Sequence, residues 1–133
     1  MTTEHTQTKA GEAFVLEFHA EPEYVSTART FSVAVGRALG LNETQLEELK
    51  LAVSEACTLC IAGRAPGSPE SVRVSIESVD GGLALSVRDP APRAPLVPGE
   101  WSEDVIRALF PDARVRTDEG VEIAFSVPRS AQE

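Results

Sequence analysis

The segment LKLAVSEACTLCIAG, residues 49–63, sets the first expectation about the fold. Its apolar residues recur every three or four positions, which predicts an amphipathic helix with one buried stripe. Asn42, followed three residues later by Gln45, is a capping-box signal, so the helix is predicted to begin at Asn42 and to end near Gly63. Glu55 stands among the small and apolar residues of this helix, either as a chemically active carboxylate or as an ordinary solvated side chain.

Strand and helix patterns alternate on both sides of this helix. Ser102 is predicted to cap a last short helix, and Asp80, Gly81 and Gly82 to form a hairpin turn. We predict strands at residues 13–20, 72–79, 83–89, 113–117 and 121–127, and helices from Pro22 to Gly40, from Asn42 to Gly63 and over 103–110. This order predicts an α+β two-layer sandwich in which one mixed β-sheet carries all helices on one face.

Length and charge limit the classes of function. The 133 residues, 42% of them hydrophobic, predict one domain over residues 13–128, with a flexible N-terminal tail at 1–12 and a C-terminal tail at 129–133. A formal net charge of -9 argues against direct binding to nucleic acid and to anionic membrane surfaces. Because the sequence has neither a signal peptide nor an apolar run of about 20 residues, a cytoplasmic location is expected.

The two cysteines, Cys57 and Cys60, form a CxxC motif. A redox motif of this kind uses a helix N-terminus to lower a thiol pKa, whereas this pair lies far inside its predicted helix. A zinc site needs two further ligands, and the two histidines, His5 and His19, are distant in sequence. We therefore predict two buried structural thiols and no metal site.

The order of elements, with LKLAVSEACT on the second long helix and LALSVRDPAP at a strand end, resembles the GHKL (histidine-kinase-like) ATPase superfamily, whose fold is the Bergerat fold. The closer resemblance is to bacterial anti-sigma-factor serine kinases of the RsbW type, over about Phe14 to Pro128. In those proteins a helix reading AVSEAxTN supplies a catalytic Glu and a magnesium-binding Asn. A strand ending in RDxGxG supplies an Asp that reads adenine, and a later GxGL cradles the phosphates.

Two functional positions of that family are retained here. The resemblance places Glu55 at the catalytic glutamate and Asp89 at the adenine-reading aspartate. Each residue can also be interpreted without a function, because a helical Glu is commonly solvated and an Asp before Pro commonly opens a turn.

Other positions of the family motifs have changed. Leu59 stands at the magnesium-binding Asn and supplies no side-chain oxygen, and Ala91 and Arg93 replace two glycines. The phosphate-cradling glycines are absent from residues 100–103, and acidic side chains at a helix start oppose a triphosphate. Those acidic residues are Glu100, Glu103 and Asp104.

Three further residues are candidate partner contacts. The resemblance places Arg29 at a first-helix arginine that grips protein partners, and Arg37, eight residues on, is predicted to share its helix face. Both are otherwise ordinary exposed arginines. Trp101, the single tryptophan, is either a partner anchor or a packed loop residue.

The resemblance implies an anti-sigma regulatory factor that sequesters an RNA polymerase sigma factor by steric occlusion and is released by an anti-sigma-factor antagonist. Homodimers are implied by resemblance alone. No cofactor is expected, because the changed residues predict that ATP and magnesium bind weakly or not at all. Two alternatives stay open: an active ATP-dependent serine-protein kinase with Glu55 as base and Asp89 reading adenine, and a non-catalytic scaffold or sensor domain.

Overall fold

The computed structural model describes residues 11–95 and 101–129. Of the predicted tails, 1–12 and 129–133, residues 1–10 and 130–133 lie outside the described residues, as does Glu100 at the predicted phosphate site. In chain order the elements are β1 (Ala13–Phe18), α1 (Val25–Ala38) after a 3-10 turn (Pro22–Tyr24), α2 (Glu43–Ala62), β2 (Val72–Val79), β3 (Gly82–Asp89), α3 (Trp101–Leu109), β4 (Arg114–Arg116) and β5 (Val121–Pro128).

The five strands form one sheet in the order β1-β2-β3-β5-β4, and every neighbouring pair is antiparallel. The predicted α+β two-layer architecture is confirmed, whereas the prediction of a mixed sheet is corrected. The two helices between β1 and β2 return the chain to the end of the sheet where β1 stops, so β2 runs antiparallel to it. The Gly11 N–H donates to the Ser78 carbonyl and the Ser78 N–H donates to the Glu12 carbonyl, so the pairing with β2 continues before β1 begins.

The core lies between the sheet and the helical layer. Side chains along β2 alternate between buried and more exposed positions, as expected for a sheet with one covered face. Helix α2 contacts both α1 and α3 and also the sheet, so it is the central element of the helical layer. Its predicted apolar stripe is confirmed as fully or almost fully buried: Leu46, Leu49, Val53, Cys57 and Cys60.

The ends of α1 and α2 follow their sequence signals. Gly40 has a φ of 101°, and the N–H groups of Gly40 and Leu41 bond back to α1 carbonyls, which is a glycine-based helix end. The side chain of Asn42 accepts from the Gln45 N–H at 2.8 Å, and the Gln45 side chain accepts from the Asn42 N–H. The predicted capping box is confirmed.

Helix α3 begins two residues earlier than predicted. It starts at Trp101, so Ser102 lies in its first turn and does not cap it. The prediction was wrong because the Ser102 hydroxyl has a partner on another helix: it donates to the Glu55 carboxylate. A sequence signal for capping reports only local partners, whereas this one is 47 residues away.

Candidate functional site

Glu55 lies on the part of α2 that faces α3. Its Oε1 atom accepts a hydrogen bond of 2.7 Å from Ser102 Oγ, and Ser102 is 5% exposed. The carboxylate is partly buried, so it differs from the freely solvated helical glutamate that was the ordinary reading. Glu55 thus joins α2 to the first turn of α3.

Leu59, one turn after Glu55, is 2% exposed and belongs to the hydrophobic core. Its side chain supplies no oxygen, and the neighbouring Thr58 is exposed at a different angle around the helix. The Leu59 carbonyl accepts a 2.8 Å hydrogen bond from Arg93 Nη1. The position that resemblance assigns to a magnesium ligand is therefore part of the packed core.

Asp89 is at the end of β3 and is 1% exposed. Its Oδ2 atom forms an ion pair of 3.2 Å with Arg64 Nη1, and its Oδ1 atom accepts from the Ala91 N–H at 3.0 Å. The second bond is the local turn that an Asp before a Pro favours. Both carboxylate oxygens therefore have partners inside the chain.

The segment after β3 lies against the end of α2. The Ala65 N–H donates to the Pro92 carbonyl at 2.7 Å, and the Ala94 N–H donates to the Gly63 carbonyl at 2.8 Å. A Cβ added at Gly63 would lie against the guanidinium of Arg93, which would have to shift. Of the residues at the two glycine positions of the family motif, Ala91 is buried, and Arg93 reaches back to α2 and helps to hold the segment there.

The start of α3 carries negative charge. Glu103 and Asp104 are in its first turn, and Glu103 pairs with Arg107 one turn later at 2.9 Å. Acidic residues stabilise a helix N-terminus by themselves, so this one is poorly suited to a phosphate.

The two candidate arginines of α1 lie on one surface. Arg29 is partly buried, and its Nη1 atom donates to Ser54 Oγ on α2 at 3.0 Å, whereas Arg37 is exposed and pairs with Glu43 at 3.2 Å. We name the surface they share the α1–α2 groove; it consists of two adjoining hollows, of about 320 and 530 Å³, that share Arg29 and Lys50. Its other lining residues are Ser26, Thr30, Val33, Ala34, Arg37, Glu47, Glu48, Leu51, Ser54 and Leu109.

Comparison with known proteins places this geometry in a family. A profile of the histidine kinase-like ATPase domain matches residues 18–123. The chain belongs to this family. The crystal structure of the RsbU and RsbW domains of Rv1364c from Mycobacterium tuberculosis has the same fold, with a TM-score of 0.72 and 16% sequence identity. That match covers 91% of this chain but 33% of the other, so the chain spans about a third of its length; no curated protein matches.

In this histidine kinase-like ATPase domain, three described places bear on whether ATP and magnesium could bind. A hard cation needs oxygen ligands, and Leu59 has none in its side chain. At Asp89 both carboxylate oxygens already have a partner, Arg64 and the Ala91 N–H. The acidic first turn of α3 would repel a phosphate placed beside it.

The predicted structural role of the cysteines is confirmed, because both thiols are free and buried. Burial raises the pKa of the Cys57 thiol to about 12, opposed in part by the charge of Arg29. Burial also raises the pKa of the Cys60 thiol well above its usual value. Neither thiol is therefore a reactive thiolate near neutral pH, and the described residues contain no cluster of three or more His, Cys, Asp or Glu side chains suited to a metal.

Trp101 is 73% exposed, which excludes its interpretation as a packed loop residue.

Sequence reasoning missed the roles of three residues that complete the site: Arg64, Arg93 and Ser102. Arg64 directly follows the helix-ending Gly63, and an arginine at a helix C-terminus is a known partner for carbonyl groups. For Arg93 and Ser102 the partners lie 34 and 47 residues away, so no local pattern points to them.

Proposed function

We propose that this histidine kinase-like ATPase domain is an anti-sigma regulatory factor that binds and sequesters an RNA polymerase sigma factor and is released by an anti-sigma-factor antagonist. In this proposal ATP binding and kinase activity are weakened or lost. One observation carries it: the two retained carboxylates are bonded inside the chain, while the α1–α2 groove presents Arg29, Arg37 and Lys50 on the surface. The shared fold with a structure that includes an RsbW domain supports the proposal.

The groove suits a protein partner with charged groups of both signs and apolar groups, because Glu47 and Glu48 line it together with its cations and Leu51. The bond to Ser54 holds the Arg29 guanidinium in place, which lowers the entropy lost when it pairs with a carboxylate. Leu51 is 44% exposed in the same groove and offers apolar contact. A sigma factor bound there would be unable to present the same surface to RNA polymerase, which is steric occlusion.

The test is binding of the purified chain to the purified sigma factors of its host, measured by calorimetry. Arg29→Glu should weaken binding to the sigma factor that the wild-type chain binds at least about tenfold, the equivalent of about 1.4 kcal/mol. The matched control is Arg73→Glu, a charge reversal at an exposed arginine of β2 that pairs with Glu17. If no sigma factor binds, or if both variants weaken binding equally, the proposal fails.

A phosphotransfer assay separates this proposal from an active kinase. The chain is mixed with radiolabelled ATP, magnesium and an antagonist protein, and we expect no label on the antagonist. Label that appears with the wild-type chain and disappears with Glu55→Ala would show that the chain is a kinase, with Glu55 in the catalytic role.

Other partners receive less support. No helix in residues 11–95 or 101–129 is long and apolar enough to cross a membrane. The net charge of -9 disfavours phosphate backbones. Self-association, which the family resemblance implies, belongs to the proposal and is measured by light scattering.

A further inference from the structure

Arg64 makes more contacts within the chain than a typical surface arginine. It directly follows Gly63, the C-terminal capping residue of α2, and its side chain is 9% exposed. Its guanidinium donates to Asp89 Oδ2 at 3.2 Å, to the Ser68 carbonyl at 3.2 Å and to the Glu70 carbonyl at 2.7 Å. One side chain thus joins the end of β3 to the loop that follows α2.

This arrangement resolves a problem that Asp89 would otherwise pose. A carboxylate that is 99% buried is strongly destabilised unless it is paired and hydrogen-bonded, since its charge has lost its water. Arg64 supplies both the opposite charge and planar N–H donors. The amino group of a purine is also an N–H donor, but it is neutral, so it cannot replace the ion pair without leaving the Arg64 charge unpaired.

A second set of contacts holds the segment after Asp89 against the end of α2. Residues 63–65 and 92–94 are joined by two backbone hydrogen bonds, Ala65 to Pro92 and Ala94 to Gly63. Arg93 adds a bond to the carbonyl of Leu59 in the last turn of α2, where a cation also stabilises the helix dipole. The segment after Asp89 is therefore held against α2 by groups of the chain itself.

We infer that Arg64 is an internal ligand of Asp89 that keeps the adenine end of this family's nucleotide site closed. The inference rests on the part of the proposed function in which ATP binding is weakened, and it is independent of sigma-factor binding. In this view the domain holds its folded shape without nucleotide, because an arginine of the chain pairs with the carboxylate that would otherwise be available to a ligand.

The test is the binding of adenosine and inosine to Arg64→Ala, measured by titration calorimetry and by amide NMR shifts. Adenosine avoids the repulsion between a triphosphate and the acidic start of α3, and inosine lacks the amino donor at the same ring position. Arg64→Ala should bind adenosine at least tenfold more tightly than the wild-type chain does, with no gain for inosine. The gain should disappear in Arg64→Ala/Asp89→Asn and be absent from the surface control Arg73→Ala.

Wild-type binding of adenosine as tight as that of a folded Arg64→Ala variant would overturn the inference. If circular dichroism shows that Arg64→Ala does not fold, Arg64→Gln takes its place, because its amide keeps a donor for the loop carbonyls but loses the charge.

Hydrogen exchange on the wild-type chain is a second test: the amides of Ala65, Ala91 and Ala94 should be protected without nucleotide. Exchange at the rate of a solvent-exposed loop would show that the site is open. Loss of sigma-factor binding alone would leave these results unchanged.

Discussion

At the scale of single residues, the partner of a carboxylate decides what that carboxylate can do. Glu55 accepts from Ser102, and Asp89 pairs with Arg64, so each is bonded to another part of the same chain. A base or a ligand-reading group needs acceptor capacity directed at the ligand. Here each group also makes a contact that joins two elements of the chain, Glu55 with α3 and Asp89 with the loop after α2.

Ser32 differs from these two carboxylates, because its buried polar group is not hydrogen-bonded to any described residue. It is 0% exposed on α1, and its hydroxyl has no hydrogen-bond partner within the part of the chain that the structure describes. Ser32→Ala should raise the free energy of unfolding by about 1 kcal/mol, because it removes an unsatisfied group and improves helix propensity. Urea denaturation measures this. Ser54→Ala, which removes the acceptor of Arg29, is the control and should not stabilise; a destabilised Ser32→Ala would contradict the prediction.

The buried thiols predict a loss of stability in alkali. The pKa of Cys57 is about 12 in the folded chain against 9.0 for an ordinary thiol, so the unfolded state loses its proton first. This contribution to stability is complete below about pH 9 and is lost as the pH rises toward 12, at about 1.4 kcal/mol per pH unit for each thiol. Urea denaturation between pH 8 and 10.5 should show a flatter decline for Cys57→Ala/Cys60→Ala than for wild type. Equal slopes for the wild type and the double variant would contradict this prediction.

At the scale of elements, α2 connects the parts of the molecule. It contacts α1 and α3 in the helical layer and packs on the sheet. Its first turn is fixed by the Asn42 capping box, and its last turn by Arg93. Gly36 lies where α1 approaches α2 closely: an added Cβ would lie 3.0 to 3.1 Å from leucine side chains, which would have to shift.

The bond between Ser102 and Glu55 should contribute to the docking of α3 on α2. Ser102→Ala should lower the free energy of unfolding by about 1 to 2 kcal/mol, since the hydroxyl donates to a charged group in a partly buried place. The same change in a Glu55→Ala background should cost much less, and the difference is the coupling energy. Emission from Trp101, the neighbouring residue, reports the position of α3 in the same samples. Ser126→Ala on β5 is the control; additive effects of Ser102→Ala and Glu55→Ala would exclude a direct bond.

At the scale of the whole molecule, an acidic chain carries a local surface with three cations. The net charge is -9, yet the α1–α2 groove brings Arg29, Arg37 and Lys50 together. Arg37 pairs with Glu43 and Lys50 with Glu47, and Glu48 also lines the groove, so its charge is mixed. Such a surface favours a protein partner that offers both charges over a polyanion, which the rest of the acidic surface repels.

Nucleotide should leave the stability of the whole domain unchanged. A ligand with a dissociation constant of about 10 μM would add about 2.7 kcal/mol at 1 mM, enough to raise Tm by several degrees. We expect a change in Tm of less than about 1 °C on addition of 1 mM ATP and magnesium, measured by scanning calorimetry. A rise of several degrees that EDTA removes would show that the magnesium site has been rebuilt with other ligands.

The sequence by itself determined the elements whose signals are local. The period of α2, its capping box, the alternation in β2 and β5, and the burial of Cys57 and Cys60 all follow from side chains within a few positions of each other. Those signals predicted the α+β two-layer fold. The loss of a side-chain oxygen at Leu59 and of glycines after Asp89 was equally readable, because it depends on residue identity alone.

Only the tertiary structure decided how strands pair and which side chains occupy the site. The sheet proved antiparallel throughout because β5 lies between β3 and β4, a choice made by packing and not by any strand's own pattern. The partners of Glu55 and Asp89 are 47 and 25 residues away from them. A contact between distant residues depends on where the whole backbone places them, so no short stretch of sequence contains it.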